Sequence, residues 1–192
     1  MLDSQRDAAP ATVRREEYRP PAFLVDQVDL HFTLDPSATL VRSRIAFRRN
    51  PEHGDPAAPL RLDGEALTLL ALRLDGRDLA TGAYTLDPEG GLTLPGVPDA
   101  FELESETRIA PNANTELSGL YVSGGNFFTQ CEAEGFRRIT YFPDRPDVMA
   151  RFTVTLVADR ATCPVLLSNG NPDGTGEAEG GKHWARWVDP HP

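Results

Sequence analysis

Lysine is almost missing from this chain of 192 residues. Lys182 is the only one, so arginine supplies nearly all of the 19 basic residues set against 29 acidic ones. The formal charge of −10 argues against polyanionic partners, nucleic acid and anionic membrane surfaces alike, since these are held by clustered cations. Cysteine is just as scarce. Cys131 and Cys163 are too few for a disulfide-built scaffold and allow one bridge at most. Long apolar runs are absent too: nothing approaches the about 20 residues that cross a bilayer. Met1 to Glu17 is polar and charged, unlike a signal sequence. A reduced, soluble, cytoplasmic protein is expected.

Catalytic signatures are lacking as well. A zinc peptidase needs two histidines one helical turn apart, a third ligand and a carboxylate to take the proton of the bound water. The four histidines, His31, His53, His183 and His191, form no HExxH and stand too far apart to assemble one locally. Cys131, Cys163 and His183 would make a metal site only if the fold gathered them, and their spacing does not ask for it. No nucleophile elbow and no phosphate-binding loop is present.

What the chain does have is turns and alternation. Hydrophobic residues make up 40% and charged residues 25%, an ordinary globular balance with enough length for one sizeable core. Seventeen prolines and sixteen glycines are spread along it, which predicts frequent turns rather than a low-complexity tract. After Met1 to Glu17, read as a frayed or disordered leader, the period becomes two. Leu24, Val28, Leu30, Phe32 and Leu34 alternate with polar neighbours. After Asp35-Pro36-Ser37, Val41, Ile45 and Phe47 point in while Arg42, Arg44 and Arg48 point out. That is an antiparallel hairpin with one wet face.

Further strands are predicted at Leu60–Leu62, Leu67–Leu74, Ala83–Leu86, Gly91–Leu94, Phe101–Ile109, Arg151–Asp159, Val165–Ser168 and His183–Val188. Asp75-Gly76 and Glu89-Gly90-Gly91 read as hairpin turns, Asn169 to Gly181 as a glycine-rich loop, and Asp144 to Ala150 as one helical turn. The predicted class is all-β: an antiparallel sandwich or saddle of many short strands with at most short helical turns. Trp184 and Trp187, three apart on one strand, should face opposite sides. Phe136, Tyr141, Phe142 and Phe152 read as packing groups, and Arg145 as an ion-pair anchor for Asp144 or Asp147.

The stretch Thr129 to Asp147, TQCEAEGFRRITYFPDRPD, carries the most information. In an extended backbone, residues two apart point the same way. Gln130, Glu132 and Glu134 would then project together and could grip an ammonium group. A solvated strand face is the plain alternative.

Together with PNANTELSGLY (Pro111 to Tyr121), DVMARFTVTLVAD (Asp147 to Asp159), LLSNGN (Leu166 to Asn171) and HWARWVDPHP (His183 to Pro192), this stretch resembles the amino-terminal domain of the bacterial aminopeptidase N family of gluzincin-type zinc aminopeptidases. The similarity runs from about Tyr18 to the end of the chain, so residues 18–192 would be the amino-terminal β domain of a larger enzyme whose zinc domain lies elsewhere. The resemblance implies that Gln130 and Glu132 hold the free α-amine of a peptide substrate, with Glu134 as a possible secondary contact. It also implies a cis bond after the glutamate, which would turn Glu134 off that face. Zinc would belong to the parent enzyme and not to this domain, because HExxH, the GAMEN segment and the oxyanion-stabilising tyrosine are absent here. Two rivals stand beside it: a free β-sandwich module gripping a ligand or peptide, and a scaffold domain of a degenerate peptidase.

Overall fold

The computed structural model describes residues 14–192. The expected leader therefore falls, for residues 1–13, outside the described residues; Arg15–Glu17 form one exposed 3-10 turn. Thirteen strands follow. They are β1 (Phe23–Thr33), β2 (Thr39–Arg49), β3 (Leu60–Leu62), β4 (Thr68–Leu74), β5 (Arg77–Asp78), β6 (Thr85–Leu86), β7 (Leu92–Leu94), β8 (Ala100–Ile109), β9 (Gly119–Ser123), β10 (Asn126–Gln130), β11 (Arg151–Asp159), β12 (Asn171–Ala178) and β13 (Lys182–Asp189). Among the described residues no helix reaches seven residues, and none is long and apolar enough to cross a membrane. The fold is all-β.

Eight strands form one large sheet in the order β12-β13-β11-β1-β2-β8-β4-β5, accompanied by the small sheet β3-β7-β6 and the hairpin β9–β10. The β1–β2 hairpin forms as its alternation dictates, with Val28 opposite Ile45 and Phe32 opposite Val41. A bulge between Val25 and Gln27 shifts the phase of β1. Phe23 and Val25 therefore face the core before it, and Val28, Leu30 and Phe32 after it, while Leu24 is only half-buried. A single uninterrupted register would have put Leu24 inside. Antiparallel pairing was expected throughout, yet β1 meets β11 in parallel, Gln27 against Arg151 through Thr33 against Val157. Neighbours in sequence cannot reveal that pairing, because β2 to β10 lie between its two strands.

Leu60 and Leu62 of β3 and Leu92 and Leu94 of β7 join Val28, Val41, Ile45 and Leu103 in one core cluster, with Tyr141 and Phe142. Burying each such side chain stabilises by about 1.5–3 kcal/mol. On the outer face Arg42 meets Glu106 at 2.6 Å and Arg44 meets Glu102 at 2.6 Å. These exposed pairs contribute little, about 0–1 kcal/mol each.

Three expectations fail for identifiable reasons. Val165–Ser168 forms no strand: Leu166 alone is buried, in a second small cluster with Ala158 and Ala185. The partner such a strand would need is taken, because Asn171–Ala178, read as loop, pairs along β13 instead. Gly176 permits this, since a Cβ there would stand 2.6 Å from Nε1 of Trp184, whose indole lies over the strand. Asp144 to Ala150 makes a turn at Pro146-Asp147, with the Val148 amide donating to the Arg145 carbonyl at 3.1 Å, and no helix.

Candidate functional site

The central stretch begins as a strand and leaves it early. In β10, Gln130 pairs with Gly119 and Phe128 with Tyr121. Gln130 and Phe128 are exposed, while Phe127, preceding them, packs on the core cluster. Tyr121 and Phe128 stack with ring centroids 5.8 Å apart. The turn between β9 and β10 is Gly124-Gly125, both at positive φ (56° and 80°). That two-residue signature was in the sequence and would have announced the hairpin.

At Cys131 the chain turns instead of continuing extended. The Gly135 amide donates to the Cys131 carbonyl at 2.8 Å. A Cβ on Gly135 would lie 2.5 Å from the Gln130 carbonyl oxygen and 2.7 Å from Oγ of Ser118, so only glycine closes the turn without displacement. The Glu132–Ala133 peptide is cis. Because β10 ends at Gln130 and residues 132–135 form a turn, alternation does not govern the three acceptors, and the reading of one shared strand face is corrected.

The three expected residues part company. Gln130 Nε2 donates to the Glu132 backbone carbonyl at 3.2 Å, which holds these two together at the surface. Glu134 turns away and pairs with Arg137 Nη2 at 3.2 Å. Glu132 is exposed, and its carboxylate has no ion pair among the described residues. Of the two acidic side chains, one is already neutralised and one is not.

Behind the turn the stretch is anchored twice. Asp144 accepts from the Arg137 amide at 3.0 Å and from its Nε at 3.1 Å, and the Asp144 amide donates to Asp63 Oδ2 at 2.9 Å. Thr140, fully buried, donates to Ser43 Oγ at 3.1 Å, and Ser43 and Ser105 share a hydrogen bond of 2.7 Å. Buried hydroxyls satisfied in this way tie the stretch to β2 and β8. Arg145 grips Asp147 with Nε at 2.8 Å and Nη2 at 2.7 Å, as expected of an ion-pair anchor, and Tyr18 donates to the same carboxylate at 2.9 Å. Phe136 packs edge-on against Phe142 and Phe152 at 4.8 and 5.9 Å, and Tyr141 is buried. Reading the sequence passed over Arg137 and Asp63, although the i,i+3 spacing of Glu134 and Arg137 was a usable signal.

Cys131 is a packed thiol whose pKa is pushed up to about 11 by burial and then by the negative charge of Asp144. It is not a nucleophile at neutral pH. Cys131 packs on the large core cluster and Cys163 on the small one, and both are free. His183 Nε2 contacts the Cys163 carbonyl at 2.7 Å, so these three do not converge as ligands. Among the described residues no group of three or more His, Cys, Asp or Glu could hold a metal ion.

Residues 24–192 match the peptidase M1 N-terminal domain. The chain belongs to this family. Aminopeptidase N of Caulobacter vibrioides is 49% identical over 187 residues, covering 97% of this chain and 21% of that protein. Aminopeptidase N of Escherichia coli is 45% identical over 183 residues, 95% of this chain and 20% of that protein. The chain thus spans about a fifth of the length of the curated relatives it matches. Among solved structures, Legionella pneumophila aminopeptidase A in complex with aspartic acid superposes with a TM-score of 0.85 at 32% identity, over 92% of this chain and 21% of that one. A mutant M1 zinc metallopeptidase from Deinococcus radiodurans, bound to a Tyr-Ser-Ala substrate, gives 0.71 at 16% identity over 87% and 39%. The second likeness is one of fold alone.

Proposed function

We propose that this M1 domain serves a zinc-dependent aminopeptidase, an enzyme that removes amino-terminal residues from peptides. It anchors the free α-amine of the substrate and caps the active site. The observation that carries the reading is the contrast between Glu132 and Glu134. Glu134 is occupied by Arg137 at 3.2 Å, whereas Glu132 is exposed, without an ion pair among the described residues, and bonded through its carbonyl to Gln130. An unpaired carboxylate beside an amide suits an ammonium group, which brings three donors and one positive charge.

An aminopeptidase must count from the amino terminus, and a carboxylate at a fixed distance from the metal measures one residue. A blocked or internal amide leaves that carboxylate desolvated and unpaired, at a cost of about 1–3 kcal/mol. Among the described residues no set of three ligands fits the zinc that the family implies. Metal ligands, general base and oxyanion stabilisation are assigned to polypeptide outside it, and the chain by itself hydrolyses nothing. A cytoplasmic location is proposed with this, in keeping with two free thiols. Alone, one exposed ion pair contributes about 0–1 kcal/mol, so the isolated chain binds amino acid amides at millimolar affinity or weaker.

The test is steady-state kinetics of the full-length enzyme. Glu132→Ala lowers kcat/KM by about tenfold to a hundredfold, and Glu134→Ala changes it by about twofold or less. Equal losses in the two variants would overturn the assignment.

A further inference from the structure

Glu132 and Glu134 stand two residues apart in the turn that Gly135 closes on Cys131, and both are exposed. An ammonium group does not distinguish one carboxylate from another by chemistry alone. What separates these two is Arg137, whose Nη2 stands 3.2 Å from Glu134 Oε2. An exposed ion pair is ordinarily weak, because two long side chains must be ordered to form it. Here one of the two is ordered beforehand. Arg137 lies in the 3-10 turn Phe136–Arg138, and its side chain is only 24% exposed. Its Nε donates to Asp144 Oδ2 at 3.1 Å and its Nη2 to the Asp144 carbonyl at 3.1 Å. The Arg137 amide donates to the same carboxylate at 3.0 Å, and Asp63 Oδ2 lies 4.0 Å from Nη2. Asp144 is buried, so its charge depends on that guanidinium. The cation is therefore fixed in place, and Glu134 alone loses freedom when the two meet.

We propose that Arg137 is a specificity-determining residue of the amine anchor: it occupies Glu134, so that Glu132 is the one acidic group of the turn left to take the substrate's α-amine. The inference rests on the reading above, in which Glu132 holds that amine. A free carboxylate two residues along would take the ammonium at a different place and hold the scissile bond out of register. Such binding is unproductive. Selectivity needs the wrong placement disfavoured as well as the right one favoured. The guanidinium suits the task because its planar fork presents five donors, enough to serve Asp144 through Nε and Glu134 through Nη2 together. A lysine ammonium is a point charge without that fork, and it would keep Asp144 neutralised while holding Glu134 less firmly.

Steady-state kinetics of the full-length enzyme on an amino acid p-nitroanilide tests this, with kcat and KM read separately. Arg137→Gln frees Glu134, and unproductive binding lowers kcat and KM by the same factor, about threefold, with kcat/KM held within about twofold. Adding Glu134→Ala to Arg137→Gln raises both constants again, by about twofold or more. Arg137→Lys keeps a cation for Asp144 and serves where Arg137→Gln fails to fold. It gives the same paired fall, smaller, and Glu134→Ala reverses it too. A role in folding alone predicts no such reversal, since the second substitution removes a further contact. Unchanged kcat and KM in the Arg137 variants would overturn the proposal. So would a loss that Glu134→Ala does not reverse. Glu132→Ala separates the two readings. If it and Glu134→Ala lower kcat/KM equally, the amine anchor fails and this inference with it. If Glu132→Ala alone lowers kcat/KM while Glu134→Ala reverses nothing in the Arg137 variants, only this inference fails.

Discussion

Strands β2 and β11 flank β1 on either side in the same sheet, and both alternate with a period of two. Their fates differ. In β2, Thr39, Val41, Ser43, Ile45 and Phe47 are all buried, the polar pair included. In β11, only Ala158 is buried, and Phe152, Val154 and Leu156 remain partly exposed. Alternation determines which face a side chain takes; whether that face is covered depends on elements far away in sequence. Leu60, Leu62, Leu92, Leu94, Tyr141 and Phe142 cover β2. Among the described residues nothing comparable covers β11. One half of the sheet is a finished core, and the other keeps its inner face partly exposed among the described residues.

Substitutions that respect or violate this division sharpen it, and the largest effect belongs to the finished half. Ile45→Ala destabilises the chain by about 2–5 kcal/mol in urea denaturation, because its cavity cannot fill with solvent. Gly176→Ala, in the open half, costs about 1–3 kcal/mol, since the added methyl must displace the Trp184 indole. A value near zero would mean that β12 is loosely held. Leu156→Ala costs about 1 kcal/mol in the 192-residue chain, because its side chain is already partly exposed. A loss as large as that of Ile45→Ala in the short chain would break the comparison.

The smallest effect lies outside both halves, at Asp147. Hydrogen bonds from Arg145, and secondarily from Tyr18, hold its carboxyl below the usual carboxylate value. A depressed folded-state pKa gives stability that is fully present above the unfolded value, about 3.9, and is lost as pH falls through the lower folded value. Asp147→Asn should therefore lower stability slightly at neutral pH, flatten the acid limb of a stability–pH profile, and leave the lowest pH nearly untouched.

Where the sequence was legible, the reason is local. The β1–β2 hairpin from Val28 onward, β8, and β11 from Arg151 to Asp159 rest on uninterrupted alternation. The Asp75-Gly76 turn joins β4 to β5, and Glu89-Gly90-Gly91 leads from β6 into β7. What stayed hidden is non-local. The β1–β11 parallel pairing spans most of the chain. The edge strand β12 opens with Asn, Pro, Asp and Gly, which read as loop until β13 and Trp184 are in place beside it.

The candidate site divides the same way. Gln130 and Glu132 stand out in the sequence and lie together at the surface, but the assumption of an extended strand through Glu134 fails, because Gly135 closes a turn onto Cys131. That Arg137 occupies Glu134 follows from a turn that composition alone does not specify.

The most direct measurement of the central claim is the preference of the full-length enzyme for a substrate with a free α-amine over its des-amino counterpart. In the Glu132→Ala variant the ratio of the two kcat/KM values should fall by about tenfold or more, while Glu134→Ala holds it within about twofold. A ratio unmoved by Glu132→Ala, or lowered equally by Glu134→Ala, would contradict the account.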